Sequence, residues 1–421
     1  MDLLFSILCL TIAWLRRLSL RLLLVLFFPW RKGVAKTVLL IRDDQLGDFL
    51  LSLGTLRALS EFYHAQGFRV VFVHSPKIQE AVAGCPWFDE CETLPLGQGL
   101  LQQLQWYRGL ARRGASVTVK LPAVFGSSSV SSIAAVCACA SETVALWPYW
   151  PLKTLGEKMN AHRNRRNCGL RRRLFDICFS KKRQCQLIQA WSYEPFRPWF
   201  RLAGEYRPWE SIGDTEARLV EFCTGEKYHP TIVAPEWLLG EQPQVQGKYY
   251  IVVPGCGDPA RRWPIENFAK VIDEISQMAP ELRCVITGVA SEKELGEQLN
   301  ASAQCVNLCG KSNLRQLTAL VASAEFVLCN DTATSHLAAA FGRKSFVLLG
   351  GGHYGIYHPN PVDKRCEVFA QGDFPCLHCV WLCHRMTAEG KYPCVSEIPV
   401  ADVVSAIRAF WKRYVPQDDR L

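Results

Sequence analysis

The feature that most constrains this chain is a pattern that runs once and then restarts. From Lys36 the run "KTVLLI" is short and apolar. It gives way to "GDFLLSLGTLRALSEFY", where Phe49, Leu53, Leu56, Leu59 and Phe62 recur at helical spacing. "FRVVFVH" and "ASVTVKL" then read as further strands. The pattern begins again at "KYYIVVPG" (248–255), followed by the helix "PIENFAKVIDEIS", the strand "RCVITG", the helix "NLRQLTALVASA", the strand "EFVLCN", the helix "SHLAAAFG" and the strand "SFVLLGG". Strand, helix, strand at this spacing gives parallel βαβ units. The expectation is an α/β chain of two Rossmann-like domains, with ligand in a cleft between them at the carboxyl ends of the strands. Boundaries are expected at 34–240 and 241–400, with a helix and tail over 401–421. Between 150 and 235 periodicity is poor and Trp, Pro and Arg are frequent, so loops and short helices are expected there.

Two segments stand outside this frame. Residues 3–28 are apolar, but Arg16, Arg17 and Arg21 interrupt them, leaving a first apolar run of 13 where a spanning helix needs about 20. On a helical wheel Asp2, Ser6, Cys9, Ala13, Arg16, Arg17 and Arg21 share an arc of about 140°. Residues 1–33 therefore read as an amphipathic helix lying in a membrane interface, against a docked core helix or a tilted span with snorkelling arginines. The second segment is basic. The chain's net charge is +9, and Lys153 to Arg183 alone hold eleven Lys/Arg against two acids, which is the same +9. This insertion (about 150–215) includes Arg171, Arg172 and Arg173, interleaved with Leu170, Leu174 and Phe175. It suits an anionic lipid surface or a phosphorylated glycolipid; no nucleic-acid partner is expected.

Three strand-to-helix junctions carry chemistry. In "IRDDQLGD", Asp43, Asp44 and Asp48 follow an apolar strand, and Asp48 sits where a helix begins, a base or merely a helix cap. In "VVPGCGDPARRWP", Gly255 permits close backbone approach, and the guanidinium forks of Arg261 and Arg262 suit phosphate oxygens. In "CNDTATSHLAAAFG", Asp331 and Thr332 precede a helix whose N-terminus is a ready anion site, with His336 one turn in. "GGGHYGIYHP" adds Gly351 and His353 as candidate nucleotide contacts.

Together "IRDDQLGD", "RRWPIENFAKV", "NDTATSHLAAAFG" and "LLGGGHYG", in this order, resemble glycosyltransferase family 9, the heptosyltransferase family of lipopolysaccharide synthesis, over about residues 36–400. The resemblance implies a GT-B fold, with the acceptor on the first domain and a nucleotide-sugar donor, ADP-heptose included, on the second. It implies that Asp48 is the general base of an inverting transfer and that Asp44 shapes the acceptor side. Arg261 and Arg262 would steady the departing diphosphate, Asp331 would bind sugar hydroxyls, and His336 matches the family's histidine. Ala333 departs from the glycine usual after the Asp-Thr pair. No Asp-x-Asp triplet occurs, so no cofactor is expected for catalysis. The implied acceptor is a lipopolysaccharide core or other lipid-linked glycan, and the implied location is the cytoplasmic face of a bacterial inner membrane.

Of 19 cysteines, four cluster as C-x2-C-x3-C-x10-C: Cys376, Cys379, Cys383 and Cys394. They could hold a structural zinc or iron–sulfur cluster, with His378 and His384 as substitute ligands, or be plain buried thiols or a redox-labile pair. The rival function is a non-catalytic membrane-associated binding or scaffold protein on the same fold, with these cysteines as its working part.

Overall fold

The structure is a computed structural model that describes residues 36–122, 129–138, 140–148, 200–206, 210–241, 245, 247–302, 305–370 and 385–414, with Thr11, Leu15, Leu18, Leu377, Cys379, Trp381 and Cys383 as isolated positions. The expected N-terminal helix, Arg171 to Arg173, Cys376, His378, His384 and the tail beyond Tyr414 lie outside the described residues. Among the described residues no helix is long and apolar enough to cross a membrane.

The chain divides into two units, residues 1–231 and 232–421. In the first, strands β1 (Thr37–Arg42), β2 (Arg69–His74), β3 (Glu90–Thr93), β4 (Val117–Lys120), β5 (Glu142–Pro148) and β6 (Arg201–Tyr206) form one parallel sheet in the order β3-β2-β1-β4-β5-β6. The aliphatic run of β1 makes this possible, because Val38 to Ile41 are buried on both faces. The segment expected as one helix over 47–63 is two, α1 (Leu46–Leu51) and α2 (Leu53–Ala65), separated at Ser52 (φ −90°, ψ 2°). Helices α3 (Leu100–Arg113) and α4 (Ser129–Cys137) cover the sheet; Tyr107, Leu110 and Ala135 join its core. The region expected as loops and short helices holds β6 and a 13-residue helix, α5 (Ile212–Thr224). Ser211 caps α5 by accepting from Asp214 N, and Leu219 and Val220 anchor it.

The second unit repeats the topology. Strands β7 (Tyr249–Val253), β8 (Arg283–Ile286), β9 (Cys305–Asn307), β10 (Phe326–Asn330), β11 (Lys344–Leu348) and β12 (Cys366–Phe369) run parallel in the order β12-β11-β10-β7-β8-β9. Helix α6 (Ile265–Met278) buries Phe268, Val271, Ile272 and Ile275, an i, i+3, i+4, i+7 stripe, with Pro264 at its N-cap. It is followed by α7 (Lys293–Ser302), α8 (Leu314–Ser323), α9 (Ala333–Ala340) and α10 (Val400–Tyr414). Val403, Ile407 and Trp411 of α10 complete the core on α6, and Arg408 Nη2 donates to Glu274 at 3.0 Å.

Both sheets have the doubly wound order. In each, the direction of winding reverses beside the first strand, between β1 and β4 and between β7 and β10, the place where sheets of this order bind ligands.

Candidate active site

Arg42 ends β1 and is 1% exposed. A guanidinium cannot shed its charge, so burial demands partners. Nη1 donates to Glu216 Oε1 of α5 at 2.6 Å, and Nη2 lies 3.0 Å from Asp44 Oδ2, off the line of a hydrogen bond. Burial works against the cation, but Glu216, Asp44 and Asp48 outweigh it and raise its pKa. Ser52, in the break between α1 and α2, directs its hydroxyl to Glu216 and to the Asp48 carbonyl. Asp48 is the third residue of α1; its Oδ2 accepts from Gln45 N at 3.3 Å. It therefore does act as a cap, while remaining partly exposed beside this network. Burial pushes the Asp44 carboxyl well up despite Arg42, with Asp48 and Asp43 adding to the rise. Lys120 closes β4, next to Ile41 of β1. Burial lowers its pKa against the pull of Asp43 and Asp44.

In the second unit the loops after three neighbouring strands, β7, β10 and β11, converge. Asn330, fully buried at the end of β10, stitches two of them: Nδ2 donates to Pro254 O at 2.8 Å, and Oδ1 accepts from Trp263 N at 3.0 Å. Next to it, Asp331 is bonded to His353 Nδ1 and lies 3.9 Å from Arg261 Nη1. Burial opposes the charge on Asp331, yet His353, His358 and Arg261 hold its carboxyl below the usual carboxylate range. Thr332 is the N-cap of α9 and Ala333 its first residue, both half-buried.

The two expected arginines separate. Arg261 faces Asp331, whereas Arg262 Nη2 donates to Cys256 O at 3.1 Å and lies 3.6 Å from Glu292 Oε1, bracing its own loop. Protein groups also fill the space beside the glycines. A Cβ on Gly255 would stand 2.0 Å from the Glu292 carboxyl carbon. On Gly350 or Gly352 it would meet the Trp381 indole at 2.4 or 2.5 Å. Gly351, between them, is buried.

His336 is 6% exposed and stacks on His358, ring centroids 4.7 Å apart and planes 12° apart. Burial, then His358, lower the His336 pKa to about 3; burial lowers that of His358 too. Asp331, His336 and His358 offer ligand atoms within 4.8 Å of one another. A metal bound by two imidazoles lies in the plane of each, about 2.0–2.1 Å from nitrogen. Stacked, near-parallel rings direct their lone pairs alongside one another rather than to one point. His358 Nε2 is also engaged with Ser335 Oγ at 2.9 Å and Nδ1 with Cys366 Sγ at 3.6 Å. As arranged, the stacked pair is tied to Ser335 and Cys366, and the trio does not present its ligand atoms to one in-plane point for a metal. Of the cysteine cluster, Cys379, Cys383 and Cys394 are described, all as thiols.

Residues 231–388 match the profile of glycosyltransferase family 9 (heptosyltransferase). The second unit is a family 9 domain. Lipooligosaccharide heptosyltransferase 2 of Haemophilus influenzae is 32% identical over 120 residues, 27% of this chain and 33% of that protein. Lipopolysaccharide heptosyltransferase 2 of Escherichia coli is 31% identical over 98 residues, 22% and 28% of the two chains. The chain thus spans about a third of the length of the curated relatives it matches. A family 9 glycosyl transferase from Veillonella parvula superposes over 90% of this chain and 97% of its own at TM-score 0.61 and 16% identity. The E. coli heptosyltransferase WaaC with ADP-2-deoxy-2-fluoro heptose does so over 90% and 99% at TM-score 0.55 and 14% identity. These likenesses show the fold.

Within the family 9 domain, sequence reasoning found Arg261, Asp331, His336 and His353 but passed over His358, Glu292 and Trp381. In the first unit it missed Arg42, Glu216 and Lys120. A charged residue inside an apolar strand, as Arg42 is in "LLIRDD", is the one signal that pointed to a buried ion pair. Nothing local marks Glu216, 174 residues away.

Proposed function

We propose that the protein is an inverting, metal-independent glycosyltransferase that moves heptose from ADP-heptose to a lipopolysaccharide-core or other lipid-linked glycan at the cytoplasmic face of a bacterial inner membrane. The observation that carries this reading is the convergence of Arg261, Asp331 and His353 at the switch point of the family 9 domain. In it, a carboxylate able to accept from sugar hydroxyls stands beside a cation able to meet a diphosphate. The relatives named as heptosyltransferases supply the donor class.

Asp48 is the general base in this mechanism. It takes the proton of the acceptor hydroxyl while that oxygen bonds to the anomeric carbon, and the nucleoside diphosphate leaves from the opposite face with the electron pair of the broken bond. Arg261 and the N-terminus of α9 meet the charge that builds on the leaving group. Arg171 to Arg173 and the N-terminal segment engage an anionic membrane surface, and Asp44 helps shape the acceptor site. The four cysteines have a structural role, with zinc or an iron–sulfur cluster as the bound group, which elemental analysis of the purified protein tests.

The deciding experiment is nucleoside-diphosphate release from a panel of nucleotide sugars with a core-oligosaccharide or lipid extract as acceptor. Asp48→Asn is the control, because Asn keeps the acceptor for Gln45 N and loses only the basicity. Release by the wild type that the variant loses supports the reading. Silence across the panel, with no donor binding by calorimetry, favours a non-catalytic binding protein instead.

A further inference from the structure

Trp381 stands between two of the clustered cysteines, Cys379 and Cys383. It is the single non-glycine residue with positive φ among the described residues, at 61°. For a bulky side chain this backbone conformation is strained and persists only when surrounding contacts hold it. Those contacts lead into the family 9 site. The indole lies over Gly350 and Gly352, where it leaves no room for a Cβ. It meets the His353 ring edge-on, centroids 5.0 Å apart and planes at 78°, and tilts against Tyr392 at 5.0 Å. The Arg261 guanidinium sits over its face, 5.2 Å from the centroid. Arg261 needs such support, because its Nε is buried without a hydrogen-bond partner among the described residues and its approach to Asp331 is a long 3.9 Å.

From this we infer that Trp381 is a positioning residue of the donor site. Its face sets the height of the Arg261 guanidinium over the diphosphate position, and its edge sets the His353 ring that holds Asp331. It rests on the reading that Arg261 meets a diphosphate. The cysteine segment is thereby part of the site's scaffold: what displaces Trp381 displaces Arg261 and His353 together.

Calorimetric titration of the full-length protein with ADP and UDP, alongside Trp381→Phe, Trp381→Leu and Arg261→Ala, tests the inference. Phenylalanine keeps an aromatic face, and its affinity should stay within about threefold of wild type; leucine keeps bulk without a π face and should bind about 2- to 30-fold more weakly, the range of a cation–π contact. In an Arg261→Ala background the leucine substitution should cost nothing further. Equal affinity of Trp381→Leu and wild type, or a full leucine loss without Arg261, overturns the inference. The Arg261 Nε–Hε resonance, assigned through Arg261→Ala, provides a readout without ligand. It should be displaced by the indole ring current in wild type and return to the ordinary arginine position in Trp381→Leu. An unchanged resonance overturns the inference whatever binds. A displaced resonance in a wild type that binds neither nucleotide supports Trp381's role and sinks the proposed function.

Discussion

Glu216→Ala should destabilise the first unit through one buried charge. The substitution leaves Arg42, 1% exposed, without its 2.6 Å partner, and removes the acceptor of the Ser52 hydroxyl. Stripping one member from a buried ion pair costs about 3–5 kcal/mol. The low end applies here, since Asp44 stays 3.0 Å from Arg42 Nη2 and offsets part of the loss. At about 2–4 °C per kcal/mol for a unit of 150–250 residues, a loss of about 3 kcal/mol lowers the midpoint by about 6–12 °C. Glu216→Gln keeps an acceptor for both donors and gives up charge assistance alone, about 1 kcal/mol or about 2–4 °C. Arg42→Met with Glu216→Ala removes both charges, and the double variant should be more stable than Glu216→Ala alone. Calorimetry on the full chain, fitted to two transitions because two units need not melt together, measures all three. The reasoning is refuted if Glu216→Ala moves neither transition by more than about 1 °C, or if the double variant is the less stable.

Acid should weaken the second unit. His336 is held near pKa 3 against an ordinary 6.5, so the unfolded chain binds the extra proton between these values. The stability this contributes is complete above about pH 6.5 and falls as pH drops, by about 2 kcal/mol at pH 5. Asp331, held low, acts in the same sense further down: its contribution is present above the usual carboxylate pKa and is lost below it. Denaturant melts at pH 7 and pH 5 check this; His336→Asn should lose less between the two than wild type. Gly255→Ala drives a methyl to 2.0 Å from the Glu292 carboxyl carbon, and Gly352→Ala drives one to 2.5 Å from the Trp381 indole. Each should cost about 1–3 kcal/mol of overpacking by denaturant titration. Pairing Gly255→Ala with Glu292→Ala should lose less than the sum of the two. Trp263→Ala empties a site 1% exposed and orphans the Ile398 carbonyl that accepts from Nε1 at 3.0 Å, so it should cost about 3–5 kcal/mol by the same titration.

The sheets were legible because their strands are buried on both faces and so read as unbroken aliphatic runs, "TVLLI" and "FVLC" above all. The strands that escaped notice are mostly edge strands or strands with half-exposed positions. β3 (ECET) is mostly polar, β9 (CVN) and β12 (CEVF) are too short to show a pattern, and β6 (RLAGEY) alternates weakly around Gly204. What defines them is a neighbour to pair with, and that neighbour lies far off in sequence. The break at Ser52 was equally silent. Its neighbours keep helical spacing through it, and the reason for it, a hydroxyl turned to Glu216, comes from another helix.

The candidate site divides along the same line. Residues that announce themselves by lying in the junction between a strand and the next helix, Asp48, Arg261 and Asp331, were read as candidates from the sequence. Those that fix where the found residues point were missed, because each acts from another part of the chain: Glu216 on Arg42, Glu292 on Arg262, Trp381 on Arg261. The glycines make the point most sharply. "PGCG" and "GGGH" read as openings for a ligand, yet at three of those positions the space that a Cβ would take belongs to Glu292 or Trp381. A glycine after a strand reports that something comes close to the backbone. In the family 9 domain that something is the domain's own carboxylate and indole, and through Arg262, Arg261 and His353 these two side chains brace the loops around Asp331.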